Sequence, residues 1–214
     1  MADEIKEQLS PDPGRRGAMF QGLTGRSGSN VSGTAGDVPD IRGMLRAAYG
    51  PGPRSDINTA AAAKGLGVSK RTVERWLADP SSASKISKPK PATVAKMAKA
   101  ARQAATTKAG RKRVMKAMRE SKEGKRLLKR GGRVRVTGNQ GVFGKSAYYI
   151  RWRKDVPFPP NQAGMTPAEI EGLWTAYEQG GDKAASQWLT DYAREHYAAG
   201  WEFESIERIG YDPN

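Results

Sequence analysis

The sequence has no cysteine, and His196 is its only histidine among 214 residues. Without cysteine, disulfide bonds and cysteine-ligated zinc are excluded, and a single histidine excludes a multi-histidine metal site. The sequence also lacks a run of about 18 apolar residues and an apolar signal segment near Met1, so a soluble cytoplasmic protein without a membrane span is predicted. We expect neither a metal ion nor a cofactor.

Acidic residues are scarce in the middle of the chain. Residues 59–154 carry 27 basic and four acidic side chains, whereas residues 1–58 carry seven of each and residues 155–214 carry three basic and eleven acidic. So lopsided a segment repels itself unless a bound polyanion neutralises it, which makes DNA the expected partner and the nucleoid the expected location. A membrane surface is the weaker alternative, because no segment joins this charge to a broad apolar helix face.

Composition and periodicity divide the chain into four parts. Residues 1–38 are rich in glycine, serine and proline without a sustained apolar period, which predicts a flexible arm. Residues 39–106 predict a helix-turn-helix bundle, and residues 107–130 predict a basic helical connector. Residues 131–214 alternate at first and then return to helical spacing, which predicts a ββααβ domain. The predicted fold class is therefore α+β.

The stretch GLGVSKRTVERWL, residues 65–77, has the spacing of a helix-turn-helix motif. Gly65 and Gly67 are expected to form a left-handed turn, after which Ser69 caps a second helix whose Val73 and Trp76 face inward. The polar residues predicted to face outward and contact DNA are Ser69, Lys70, Arg71, Thr72 and Arg75. Arginine pairs with guanine edges in the major groove, and serine, threonine or lysine can hold phosphate. The alternative is an ordinary charged helix in a three-helix bundle.

The basic connector has a thin apolar stripe. Its apolar residues are Val114, Met115, Met118, Leu127 and Leu128. Because so narrow a stripe packs weakly, we expect this helix to lie along DNA phosphates and to order fully only on binding. The residues predicted to contact phosphates there are Arg111, Lys112, Arg113, Lys116 and Arg119. A merely solvated surface helix is the alternative.

Two segments of alternating pattern, RVRVT and AYYIRWR, predict a β-hairpin. The side chains expected on its inner face are Val134, Val136, Tyr148, Ile150 and Trp152. The outer face is expected to carry Arg133, Arg135, Thr137, Tyr149, Arg151 and Arg153. Such a face can hold a nucleic-acid backbone. Alternatively, these arginines pair with Glu202 and Glu204 of the last strand.

The remaining motifs do not favour an enzyme. In NQGVFGKS, residues 139–146, Asn139 stands where a phosphate-binding loop has its first glycine and a strand-like segment follows, so a glycine-rich hairpin loop is predicted. A nuclease-like metal site built from Asp155, Glu202 and Glu204 is a third hypothesis. His196 lies one helical turn from Tyr192 and is interpreted as a packing residue.

The combination of LGVSKRTVER, GGRVRVT and a final FESIERIGYD resembles the telomere-protecting terminal proteins of linear replicons in streptomycetes and related actinomycetes. The resemblance covers about residues 41–212. It implies a protein joined covalently to the 5′ end of DNA, where a side-chain hydroxyl primes end synthesis and the attached protein caps the telomere. It also implies a DNA polymerase and a telomere-associated protein as partners, with both single- and double-stranded telomeric DNA as ligands.

Priming requires a hydroxyl beside arginines that hold the incoming triphosphate. Thr137 meets this demand best, because it shares a predicted face with Arg133 and Arg135 and lies in the GGRVRVT segment. Ser146, Tyr148 and Tyr149 are further candidates. The second hypothesis for the whole protein is a helix-turn-helix transcriptional or partition regulator of a mobile element, forming a homodimer through Trp174 and Trp188.

Overall fold

The computed structural model describes residues 16–26, 31, 40–78, 87–143, 149–159 and 164–212. Within these ranges the helices are α1 (Arg16–Thr24), α2 (Ile41–Tyr49), α3 (Thr59–Leu66), α4 (Lys70–Leu77), α5 (Pro91–Thr106), α6 (Lys108–Glu120), α7 (Lys122–Arg130) and α8 (Pro167–His196). The strands are β1 (Arg133–Val142), β2 (Arg151–Phe158), β3 (Trp201–Phe203) and β4 (Arg208–Asp212). Helices and one antiparallel sheet together confirm the α+β class.

The sheet is built around β1. Strand β2 pairs with one edge of β1, while β3 and β4 share the other edge, β3 next to residues 140–142 and β4 next to residues 133–137. The expected last strand is thus two strands, β3 and β4. Val134 and Val136 are fully buried, and the Trp174 indole of α8 donates a hydrogen bond to the Tyr211 hydroxyl of β4. We call the opposite side of the sheet, which carries Thr137 and Asn139, the open face.

A β-bulge interrupts the pairing of β1 with β2. Val136 lies opposite Val156 and Gly138 opposite Arg153, so Thr137 faces two residues of β2. Asp155 takes up the extra residue with a φ of 50°, in the left-handed region that few non-glycine residues adopt. One inserted residue reverses the alternation of side chains relative to β1. The faces predicted for Arg151, Trp152 and Arg153 are therefore wrong. Trp152 lies opposite Asn139 on the open face and is 51% exposed.

Helix α8 contains the two helices predicted for this region. Thr166 and Glu169 form the reciprocal capping box at its start. Gly181, with φ 69° and ψ −151°, breaks the helical geometry between the two halves. A side chain at Gly181 would be strained at this positive φ, so glycine permits the break. The described C-terminal part therefore has the order ββααββ.

Residues 16–24 contradict the predicted flexible arm, because they form α1. Phe20 and Leu23 are fully buried, and Gly22 lies so close to β4 that a Cβ atom would come within 1.9 Å of the Ile209 carbonyl oxygen. The Arg26 guanidinium donates to the Ala47 carbonyl at the end of α2. Burial, together with the positive charge of Arg113, lowers the pKa of Arg26 to about 10. Composition alone missed this helix because its few apolar residues enter a core that other elements complete.

Candidate nucleic-acid interface

Helices α3 and α4 pack against each other across a short turn. Gly67 ends α3 in the left-handed conformation, with φ 72° and ψ 37°, and Ser69 starts α4 by accepting a hydrogen bond from the Thr72 amide at 3.1 Å. Gly65 is not part of the turn, contrary to the sequence prediction. It lies inside α3, where a Cβ atom would meet the ring of Tyr49 at 2.6 Å.

The inner side of α4 is anchored in the core. Val73 is fully buried, and Trp76 and Leu77 pack partly buried against the same core. At the end of the helix, the Arg42 guanidinium donates to the Leu77 carbonyl at 3.2 Å and pairs with Asp56 at 2.8 Å. These contacts fix the orientation of α4 and leave its other side in solvent.

The side of α4 that faces solvent carries the polar residues that the sequence predicts there. Ser69, Lys70, Arg71 and Arg75 are exposed, while Thr72 is half-buried with its hydroxyl 2.8 Å from that of Ser69. Lys70 pairs with Glu74 at 3.4 Å. Arg71 makes no ion pair with any residue in the described ranges. Its guanidinium is therefore available to an external acceptor, at the end of α4 where the helix dipole is positive.

The connector is firmly packed, which corrects the expectation of weak packing. Val114, Met115 and Leu127 are fully buried. Arg111 is also buried and donates to the backbone carbonyls of Thr106, Glu178 and Gln179, at 2.8, 3.2 and 3.1 Å. Arg111 therefore joins α6 to the end of the first half of α8 and does not face solvent.

Arg119 has a similar structural position. Its guanidinium binds Glu171 at 2.6 Å and Glu178 at 2.8 Å, and only a quarter of the side chain is exposed. The hydrogen bond to Glu171 is the main cause that raises the pKa of Arg119. Of the five predicted phosphate contacts on this helix, those that remain exposed are Lys112, Arg113 and Lys116.

Helix α5 adds basic residues that the sequence analysis did not single out. Lys96, Lys99 and Arg102 are all exposed. They recur every three residues, so they form one stripe along a helix that packs against α2 and α6. This spacing was readable from the sequence.

Thr137 lies in the bulge with its hydroxyl already hydrogen-bonded. The hydroxyl oxygen accepts from the Asp155 amide at 3.0 Å, the O–H group donates to the Asp155 carboxylate at 3.4 Å, and the residue is 7% exposed. Arg208, opposite Thr137 on β4, donates to the same carboxylate and is 60% exposed. That hydrogen bond is the main cause that lowers the pKa of Asp155.

The remaining arginines of the hairpin have separate surroundings. Arg135 pairs with Asp212 at 2.5 Å and not with Glu202 or Glu204, the partners of the alternative prediction, and Glu202 pairs with Arg194. The Nε atom of Arg133 is buried without a hydrogen-bond partner among the described residues. The two arginines of β2 lie on the opposite face from the one predicted. Arg151 is exposed there, and Arg153 lies 5.4 Å over the ring of Trp201.

Other predicted residues are placed as follows. Ser146 and Tyr148 lie outside the described residues, and Tyr149 is 66% exposed. Strand β1 continues through Val142, so half of the predicted glycine-rich loop is strand. His196 packs against Tyr192 with ring centroids 4.3 Å apart, as expected.

Trp174 is fully buried, which contradicts its predicted role in a dimer surface, and Trp188 stacks on Tyr192 with centroids 5.2 Å apart. Within the described ranges, no three acidic or histidine side chains cluster as metal ligands would. None of the helices described is both long and apolar enough to cross a bilayer.

No protein-family model matches the sequence, and searches of curated proteins and of solved structures give no match.

Proposed function

We propose that the protein binds duplex DNA through α4, with the side chain of Arg71 contacting base edges in the major groove. The observation that carries this proposal is the two-sided character of α4. Val73 is fully buried on one side, while Arg71, exposed on the other, has no ion-pair partner among the described residues. A rigidly held helix with an available guanidinium near its start is the arrangement by which helix-turn-helix proteins recognise bases.

The exposed lysines and arginines of α5 and α6 are proposed to contact phosphates. These residues are Lys96, Lys99, Arg102, Lys112, Arg113 and Lys116. Phosphate contacts position a protein on DNA and supply most of the salt-dependent affinity, without specifying sequence. In this arrangement residues 40–106 form the helix-turn-helix unit, α6 and α7 extend its basic surface, and the ββααββ part follows.

The second part of the proposal concerns the open face. We assign the protein to the terminal proteins, with Thr137 as the primer and DNA ends as the site of action. What supports this is the immediate environment of the Thr137 hydroxyl, which has a carboxylate of Asp155 at 3.4 Å and the exposed Arg208 beside that carboxylate. A hydroxyl, a proton acceptor and a cation are the groups that nucleotidyl transfer to a side chain requires.

The proposed reaction is a nucleotidyl transfer to the Thr137 hydroxyl. Arg208 exchanges its bond to Asp155 for the triphosphate of a deoxynucleotide held by a DNA polymerase with its metal ions. The Thr137 hydroxyl oxygen attacks the α-phosphorus, the bond from that phosphorus to the bridging oxygen breaks, and pyrophosphate leaves with the electron pair. The Asp155 carboxylate, released by Arg208, accepts the hydroxyl proton. The protein is thus the primer, and the polymerase is the enzyme.

The test is labelling of the purified protein with a radioactive deoxynucleoside triphosphate in an extract of its host. We expect label that survives boiling in detergent and is recovered as phosphothreonine after hydrolysis. Thr137→Ser should be labelled on serine, and Thr137→Val should not be labelled. Label on serine or tyrosine of the unaltered protein would reject Thr137. DNA binding without any covalent label, with a symmetric footprint, would favour the regulator hypothesis.

A further inference from the structure

Large hydrophobic side chains are rarely exposed in the described part of this protein, and most of those that are exposed lie together in sequence. Four are more than a third exposed, and three of them are Phe143, Tyr149 and Trp152, at the far end of the β1–β2 hairpin. Exposing an indole ring to water forgoes the free energy that its burial would contribute. Exposed rings that lie together therefore indicate a surface that binds a partner.

The strand register places Trp152 on the open face. It lies opposite Asn139 on β1, and Asn139 is two residues from Thr137 on the same side of the strand. Two residues of extended strand span about 7 Å, so the Trp152 position lies about that distance along the sheet from Thr137. The ring, 51% exposed, thus lies on the same side of the sheet as the Thr137 side chain, which is itself 7% exposed.

Exposed basic side chains also lie on the open face or beside the bulge. Arg208 lies opposite Thr137 on β4 with 60% of its side chain exposed, and Lys154 is exposed beside the bulge. Arg135, on the same face of β1, keeps 39% of its side chain exposed while it pairs with Asp212. An aromatic ring with cations beside it is the combination by which proteins bind single-stranded nucleic acid, the ring stacking on a base and the cations holding phosphates.

We propose that the open face binds single-stranded DNA, with one base stacked on Trp152 and the adjoining phosphates near Arg208 and Lys154. This inference rests on the proposed DNA-binding function and adds a second site to it. Single-stranded DNA is the occupant because the bases of a duplex are stacked on one another and present no free ring face. The strand so held ends beside Thr137, where a DNA end would meet the priming hydroxyl.

The experiment measures the affinity of the full chain for two fluorescent probes by anisotropy. One probe is a single-stranded thymidine oligonucleotide of about 12 nucleotides, which covers the usual length of such sites. The other is a fully paired duplex. We expect Trp152→Ala to weaken binding of the single strand about tenfold and to leave duplex binding within twofold. Trp152→Phe should keep most of the affinity, because it keeps a ring.

Tyr149→Ala is the matched control. Tyr149 is 66% exposed in the same hairpin, but its amide bonds to the Val142 carbonyl, which places it on the opposite face from Trp152. It should change single-strand binding by less than twofold. Arg71→Ala should leave single-strand binding within twofold, because α4 is not part of the sheet that carries Trp152. Thermal unfolding of each variant checks that it folds.

Each outcome bears on the proposal. Unchanged single-strand affinity in Trp152→Ala would overturn the proposal. Equal losses in Trp152→Ala and Tyr149→Ala would also overturn it, because binding would then not depend on the open face in particular. Loss of both probes to the same extent in Trp152→Ala would show one shared site and overturn it as well. If the unaltered protein bound neither probe, the proposed DNA-binding function would itself fail.

Discussion

The backbone amide of Asp155 donates a hydrogen bond to the hydroxyl oxygen of Thr137 across the β1–β2 bulge, at 3.0 Å. The bond exists because the bulge turns the amide of an extra residue away from the β1 backbone and toward a side chain. Asp155 adopts a φ of 50° to do so, and Arg208 holds its carboxylate in place. A strand-end threonine needs none of this, and the arrangement fixes the Thr137 hydroxyl beside a carboxylate.

Replacing Thr137 by valine should therefore destabilise the protein as well as abolish labelling. The change leaves the Asp155 amide without its acceptor, at a cost of about 1–3 kcal/mol. Thr137→Ser keeps the hydroxyl and should therefore lose much less stability. Urea unfolding of the two variants makes the comparison, and equal stability of Thr137→Val and the unaltered protein would show that the hydrogen bond contributes nothing.

Arg71→Ala should weaken binding to the specific site by about 1–3 kcal/mol and change binding to random DNA little. The expectation follows from an exposed guanidinium on a helix that Val73 anchors. Lys64→Ala, at an exposed position on α3, is the control. Competition with random duplex at several salt concentrations gives the ratio of the two affinities. A uniform loss on all sequences would make Arg71 a phosphate contact instead.

Lys116 and Arg119 should differ in kind, although they lie on one helix. Lys116, with 76% of its side chain exposed, should contribute to phosphate binding, so Lys116→Ala should reduce the salt slope by about one and leave stability unchanged. Arg119 is already neutralised by Glu171 and Glu178. Arg119→Ala should therefore leave the salt slope unchanged and lower the free energy of unfolding by about 1–2 kcal/mol. Salt titrations and urea unfolding separate the two.

The Asp155–Arg208 pair should make part of the stability depend on acid pH. Because Arg208 lowers the pKa of Asp155 in the folded state, the pair contributes fully above the unfolded-state pKa of about 4. The contribution is lost as pH falls through the lower, folded-state value. Asp155→Asn should flatten the stability profile below about pH 4. In an Arg208→Ala background the same change should have little effect, and an undiminished effect there would assign the shift to another group.

Phe20→Ala should destabilise the protein by about 3–5 kcal/mol, the usual cost of removing a buried aromatic ring. The reason is that Phe20 is fully buried where α1 packs against β4. Gln21→Ala, at the exposed neighbouring position, should be nearly neutral. If both variants unfolded at the same denaturant concentration as the unaltered protein, α1 would not be part of the folded core.

Local signals in the sequence predicted local structure well. Asp40, Ser69 and Thr166 each cap a helix as expected, because a cap needs only its own side chain and an amide three residues later. The inner side of α4 and the inward valines of β1 also follow from spacing alone. The outer position of Arg71 is a consequence of the same periodicity.

Features that depend on distant partners could not be read this way. Arg119 meets acidic residues 52 and 59 positions later, so its charge looked available in a basic stretch. A bulge adds one residue without changing the alternating letters, so the alternation predicts the wrong face for Trp152. Helix α1 is stabilised by tertiary packing, which outweighs its weak local preference. Each miss is a contact between segments far apart in the chain.

Helix α1 and Arg26, which follows it, contact both the helical part of the protein and the sheet. Through Arg26 it holds the final carbonyls of α2, beside the helix-turn-helix pair, and through Gly22 it lies against β4, the strand that carries Arg208. A shortened protein beginning at residue 40 would lose this clamp. The packing of α5 on α2 and of α6 on α8 would then have to hold the helix pair and the sheet together, so a truncated version would be a poor test of the proposed positioning of Thr137 on a DNA end.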